Sequence, residues 1–192
     1  MKSTKNLKGV LLFPGAGSDS NNPSLVRIEE TLAPLRVRRA DFPYRKAGRR
    51  APDRPPVLLD TVREEATAMG RTAALVLGGR SMGGRICSMA VAGGDDIGAA
   101  LPAAGLVLIS YPLHPPGKPE KLRVEHLPRI NAPCLFIQGT RDTFGGAGEL
   151  EPWTATIPGP VTHVWLEGKG HDLKGSDVAI AAAVSDWLAA TF

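Results

Sequence analysis

Aromatic side chains make up only 5% of the 192 residues. A nucleic-acid platform needs a set of exposed stacking rings, so that class of function is poorly supplied and the core should be aliphatic. Cysteine is nearly absent. Cys87 and Cys134 both stand in apolar surroundings, which argues against a disulfide framework or a metal site and fits a reducing, cytoplasmic setting. Long hydrophobic runs are also missing. The apolar stretch Val10 to Phe13 ends at Pro14-Gly15, too short for the core of an export signal despite Lys2, Lys5 and Lys8 before it. The longest uncharged stretch, residues 97–117, is broken by Gly98, Pro102, Gly105, Pro112, Pro115 and Pro116. No membrane span is expected from it.

What is present is an ordinary globular composition, 43% hydrophobic and 22% charged, at a length that predicts one domain over residues 1–192. The net charge of +4 is unevenly placed. Eight basic residues between Arg36 and Arg54 face only Asp41 and Asp53, giving +6 in that segment and −2 over the rest. The chain as a whole is therefore not basic, and nucleic acid is not the expected partner.

Short apolar runs alternate with longer amphipathic ones, the pattern of βα units around a parallel sheet. Strands are expected at 9–13, 35–40, 73–77, 105–110, 134–138 and 162–166, and helices at 23–32, 57–69, 82–92, 145–155 and 177–190. The last helix should begin at Ser176 or Asp177 and bury Val178, Ile180, Ala181, Val184, Trp187 and Leu188. Two connections, 41–56 and 111–133, are longer than usual. Both leave the carboxyl end of a strand, the edge at which open α/β sheets bind ligands.

After the third strand comes Gly79-Arg80-Ser81-Met82-Gly83, a G-x-S-x-G pentapeptide leading into a helix. Such a strand-to-helix turn needs small flanking residues so that the two elements can approach, and it holds the serine exposed in a strained conformation. A serine hydroxyl needs a base, and the base an orienting acid. His171, in the Gly-rich loop after the last strand, is the best placed of the four histidines. His163 falls within a strand, and His114 and His126 fall in the long 111–133 loop. Asp142 follows the fifth strand and is the expected acid, whereas Asp172 adjoins the histidine too closely to face its ring. The chain order Ser81, Asp142, His171 is that of α/β-hydrolases.

Two backbone N–H groups must also stabilise an oxyanion. Met82 supplies one. The loop Phe13-Pro14-Gly15-Ala16-Gly17-Ser18 supplies the other from Ala16 or Gly17. Its Gly-x-Gly is not followed by the lysine of a phosphate loop, and no acid ends the next strand as a dinucleotide fold expects.

These residues resemble the α/β-hydrolase superfamily near its dienelactone-hydrolase-like members, and more closely a small testis-expressed hydrolase-like group with bacterial members. The resemblance rests on residues 78–85, on Tyr111-Pro112-Leu113-His114-Pro115-Pro116-Gly117, on Gln138-Gly139-Thr140-Arg141-Asp142 and on Gly170-His171-Asp172. It implies a three-layer α/β/α sandwich, a minimal hydrolase sheet of about six parallel strands in the order 2-1-3-4-5-6, without a separate lid domain. It also implies that Ser81, Asp142 and His171 hold the triad positions. One departure stands out. Many relatives carry His-Gly in the oxyanion loop where this chain has Pro14-Gly15, which removes a side-chain brace while leaving the donor further along intact.

The expected activity is hydrolysis of small or short-chain carboxylic esters or thioesters, without cofactor or metal, by a monomer or homodimer. With the strand order 2-1-3, the basic 41–56 segment lies beside the oxyanion loop, so Arg49 and Arg50 are candidates for binding an anionic substrate. Tyr111 and His114 are candidates for the opposite wall. A peptidase would use the same three residues but usually needs insertions to hold a peptide. The alternative of another class is a catalytically weak scaffold that grips an acidic partner through its Arg-rich loop.

Overall fold

The computed structural model describes residues 7–192; Lys2 and Lys5 of the N-terminal reading lie outside it. In chain order the elements are β1 (Gly9–Phe13), α1 (Pro23–Leu32), β2 (Val37–Arg39), α2 (Pro43–Lys46), α3 (Pro55–Met69), β3 (Leu75–Arg80), α4 (Met82–Ala92), β4 (Gly105–Ile109), β5 (Cys134–Gly139), α5 (Ala147–Thr154), β6 (Val161–Leu166) and α6 (Asp177–Thr191). All strand pairs are parallel, in the order β2-β1-β3-β4-β5-β6. This is the expected six-stranded order.

The central strands are buried on both faces, so successive side chains feed two different cores. Leu11, Phe13, Leu75, Leu77, Leu106, Leu108 and Phe136 point toward α3 and α4. Val10, Leu12, Val76, Val107, Ile109, Leu135 and Ile137 point toward α1 and α6. Helices on both faces make three layers. Among the described residues no helix is long and apolar enough to cross a membrane.

Several boundaries differ from expectation for identifiable reasons. The third strand starts at Leu75, after a 3-10 turn over Thr72–Ala74, and runs on through Gly78 to Arg80. Its Gly78-Gly79 pair is ladder, because Gly78 aligns with Val107 and Gly79 with Leu108. The second strand shrinks to Val37–Arg39 at the sheet edge. The 41–56 connection contains a helix opened by Pro43, whose fixed φ suits a first helical position. Val178 is 69% exposed instead of buried. It lies two residues before Ile180, about 200° around the helix from it.

The basic segment also dissolves on folding. Arg38 and Lys46 meet Glu65, Arg39 meets Glu29, Arg45 meets Asp19, and Arg49 meets Asp53. Five of its eight cations thus have carboxylate partners, four of them reached only through the fold.

His126 lies against α4, where its Nε2–H donates to the Ser88 hydroxyl at 2.7 Å while that hydroxyl donates to the Arg85 carbonyl. Burial, helped by the positive charges of Arg85 and Arg129, pushes the His126 pKa down from 6.5 to about 3. Between these values the unfolded chain binds a proton that the folded chain refuses. Stability therefore falls as pH drops through that window, by about 1.4 kcal/mol per unit. His126→Gln keeps a donor for Ser88 and removes the proton site. Its Tm should fall less than the wild-type Tm between about pH 7 and about pH 4 in calorimetry; equal falls would refute the assignment.

Candidate functional site

The serine sits where β3 turns into α4. Ser81 has φ of 46° and ψ of −115°, a strained conformation for a residue with a side chain. Its N–H is tied to the Ile109 carbonyl at 2.8 Å. The flanking glycines are required by crowding: a Cβ at either Gly79 or Gly83 would overlap the Phe13 carbonyl oxygen of β1. The tight approach that the pentapeptide suggests is thus an approach of both β3 and α4 to one residue of β1.

His171 Nε2 lies 2.8 Å from Ser81 Oγ, and its Nδ1 lies 2.8 Å from Asp142 Oδ2 and 3.0 Å from Oδ1. With Nδ1–H donating to the carboxylate, Nε2 is left to accept the serine proton. The structure brings Ser81, Asp142 and His171 into one hydrogen-bonded chain. Asp142 is 4% exposed and is held from two further sides, by Gln138 Nε2 on Oδ2 at 2.9 Å and by the Phe144 N–H on Oδ1 at 2.8 Å. The Phe144 ring stacks on His171 with centroids 3.9 Å apart.

The His171 loop is anchored from below. Arg80 donates to the carbonyls of His171 (3.1 Å) and Asp172 (2.8 Å) and to the Ser24 hydroxyl (3.0 Å). Ser110 Oγ donates to the same His171 carbonyl at 2.8 Å. Sequence reasoning passed over Arg80, Ser110, Gln138 and Phe144. Arg80 occupies an unspecified position of the pentapeptide and Gln138 lies within a strand, so only their three-dimensional partners reveal them.

The Ala16, Gly17 and Met82 N–H groups have no acceptor among the described residues. Ala16 and Met82 line the cavity beside Ser81; Gly17 does not. The brace that Pro14 cannot provide comes from Tyr44, whose hydroxyl donates to the Ala16 carbonyl at 2.9 Å. Tyr44 is fully buried and stacked behind Phe42, which stacks on Phe13.

The cavity over Ser81 has a volume of about 350 Å³. Leu58, Ile86, Met82 and Phe144 give it an apolar wall, and Asp53, Arg85 and Arg123 a polar one. The 111–133 loop contributes Pro112 and Arg123, in place of the expected Tyr111 and His114. Tyr111 is buried beneath, with its hydroxyl on the Arg123 carbonyl at 2.6 Å. His114 is buried with Nδ1 beside the Pro115 carbonyl and Nε2 3.4 Å from Glu149. Arg49 stands one step outside, paired with Asp53 at 2.7 Å, and Arg50 is exposed to solvent away from the lining. His163 is half-buried on β6, 2.9 Å from the Thr154 hydroxyl. Among the described residues no group of three or more His, Cys, Asp or Glu is gathered as metal ligands.

Residues 7–184 match the alpha/beta hydrolase domain. The chain belongs to that family. Among solved structures this alpha/beta hydrolase is similar to Est1E from Butyrivibrio proteoclasticus, at 14% identity and a TM-score of 0.74, over 97% of this chain and 89% of that one. It is similar to the monoacylglycerol lipase of Paleococcus ferrophilus at 15% identity and a TM-score of 0.75, over 96% and 95% of the two chains. It also resembles the type II thioesterase BorB from the borrelidin biosynthetic cluster, at 16% identity and a TM-score of 0.69, over 95% and 93%. These likenesses are of fold.

Arg80 ties the hydrolase's elbow to its histidine loop, and Arg80→Met would leave the Asp172 carbonyl without its donor and the His171 carbonyl with only Ser110. Urea unfolding should show a loss of about 2 kcal/mol or more. The reaction of Ser81 with a fluorophosphonate should slow by about tenfold or more through misplacement of His171. Unchanged stability and unchanged reaction rate would remove Arg80 from this role.

Proposed function

We propose that this alpha/beta hydrolase cleaves small or short-chain carboxylic esters or thioesters through an acyl-enzyme on Ser81. The observation that carries the reading is the unbroken chain from Ser81 Oγ through His171 to Asp142 at 2.8 Å per link. Ser81 Oγ attacks the substrate carbonyl as its proton passes to His171 Nε2. The N–H groups of Ala16 and Met82 receive the oxyanion. Ala16 is favoured over Gly17 because it borders the same cavity as Ser81. The oxyanion collapses, the bond to the leaving oxygen or sulfur breaks, and that group takes the proton from His171. Water then loses a proton to His171 and attacks the acyl carbon, which releases the acid and returns the proton to Ser81.

A cavity of about 350 Å³ suits a short acyl chain. Preference for an anionic substrate forms part of this reading, as does a narrower kinship with dienelactone-hydrolase-like or testis-expressed hydrolase-like proteins. A lipase and a thioesterase among the proteins of similar fold support either an oxygen or a sulfur leaving group. The carboxylate partners across the basic segment weigh against a scaffold that grips an acidic partner there.

A fluorophosphonate should label Ser81 alone in mass spectrometry of the digested protein. Ser81→Ala should abolish labelling, and His171→Ala should slow it by about a thousandfold or more. Folded protein that takes no label would overturn the reading.

A further inference from the structure

The cavity over Ser81 is lined by two arginines, Arg85 and Arg123, that form no ion pair among the described residues. Arg85 lies four residues after Ser81 and one helical turn along α4, with its N–H on the Ser81 carbonyl at 3.0 Å. Its Cα is displaced about 6 Å along the helix axis from that of Ser81, and both residues line the same cavity. Arg123 enters from the opposite wall. Its backbone is held at both ends, its N–H on the Leu113 carbonyl and its carbonyl under the Tyr111 hydroxyl. Among the described residues no carboxylate oxygen comes within 4.0 Å of either guanidinium. Arg85 Nε is buried with no acceptor at all, and Arg123 has one marginal contact, to the Pro112 carbonyl at 3.5 Å.

The acids nearby do not neutralise the pair. Asp53, in the same lining, takes Arg49 on its Oδ1 at 2.7 Å, while its Oδ2 is buried with no hydrogen-bond partner among the described residues and lies more than 4.0 Å from either guanidinium. Asp95, Asp96 and Glu125 line a second depression that Arg85 also borders, with no carboxylate oxygen within 4.0 Å of its guanidinium. Two guanidiniums beside one half-buried cavity repel each other. Burial lowers the Arg123 pKa, and the Arg85 charge lowers it further. Half-buried cations left in this way are stabilised by an anion with oxygens for both forks.

We propose that Arg85 and Arg123 bind an anionic group, carboxylate or phosphate, at the far end of a short acyl chain whose carbonyl sits at Ser81. This rests on the serine hydrolase reading and gives it a substrate class: half-esters or half-thioesters of short diacids. The site replaces the exposed Arg49 and Arg50 as the source of anion preference. A short diacid, with its reacting carbonyl at Ser81 and its free carboxylate within the same cavity of about 350 Å³, is the size the site invites.

The test compares the mono-4-nitrophenyl ester of glutarate with 4-nitrophenyl butyrate, using the ratio of their kcat/KM values so that any general loss in a variant divides out. The wild-type ratio should exceed one by about tenfold or more. Arg85→Gln and Arg123→Gln should each lower it by about tenfold, chiefly through KM of the half-ester. Added salt should lower the wild-type ratio. A wild-type ratio of one or less, or variants that leave the ratio unchanged, overturns the proposal. Inhibition by glutarate and by inorganic phosphate separates the two anions: stronger inhibition by either, lost in both variants, supports the site and names the group. Folded protein that cleaves neither ester and takes no fluorophosphonate overturns the hydrolase reading instead. The anion site is then read from Tm alone: a rise with glutarate or phosphate that both variants lose supports it, and no rise overturns it.

Discussion

The arrangement around Phe13 of β1 is the constraint from which the site follows. Gly79 at the end of β3 and Gly83 in the first turn of α4 both press on its carbonyl, so strand and helix can meet there only with no side chain between them. That contact forces the intervening Ser81 into positive φ and lifts its hydroxyl clear of the sheet. The same strand β1 continues into the loop bearing Ala16, so Ser81 and the N–H groups around it are referenced to one piece of backbone.

The rest of the site is suspended from that elbow by polar contacts that avoid solvent. Arg80, adjacent to Ser81, reaches across to the carbonyls of His171 and Asp172, and Ser110 just after β4 shares the first of these. Gln138, on β5, holds Asp142, the Tyr111 carbonyl and the Gly145 carbonyl with one amide nitrogen, and takes the Tyr111 N–H on its oxygen. Neighbouring strands thus each contribute a fixed point, and the parallel register brings these points to one edge. A shift of one strand would move an entire set of partners, which is why catalytic geometry of this kind is built on strand ends.

Most of the sheet could be read along the chain because its strands carry unbroken aliphatic runs, a signal that burial on both faces imposes locally. The order of the hydrogen-bonded residues Ser81, Asp142 and His171 was legible for a similar reason, since each lies within five residues of the end of a strand. Edge strand β2 and helix α2 were less so. The first is short and half-exposed, and the second is a single turn fixed by Tyr44 reaching the Ala16 carbonyl. The charge of the basic segment was misleading in isolation, because Glu29, Glu65 and Asp19 come to it from elsewhere in the chain.

Sequence by itself determined the layered parallel architecture through hydrophobic period, and pointed to Ser81, Asp142 and His171, which the fold joins by hydrogen bonds, through glycine placement and chain order. Tertiary structure alone decided which cations remain unpaired beside the serine and which groups hold the histidine loop in place. It also decided which side of the 111–133 loop faces the cavity: Pro112 and Arg123 line it, while Tyr111 and His114 turn inward. The physical reason is range. Period and turn chemistry act over a few residues, whereas neutralisation and burial of a side chain depend on distant partners, such as Asp172 for Arg80, 92 positions away.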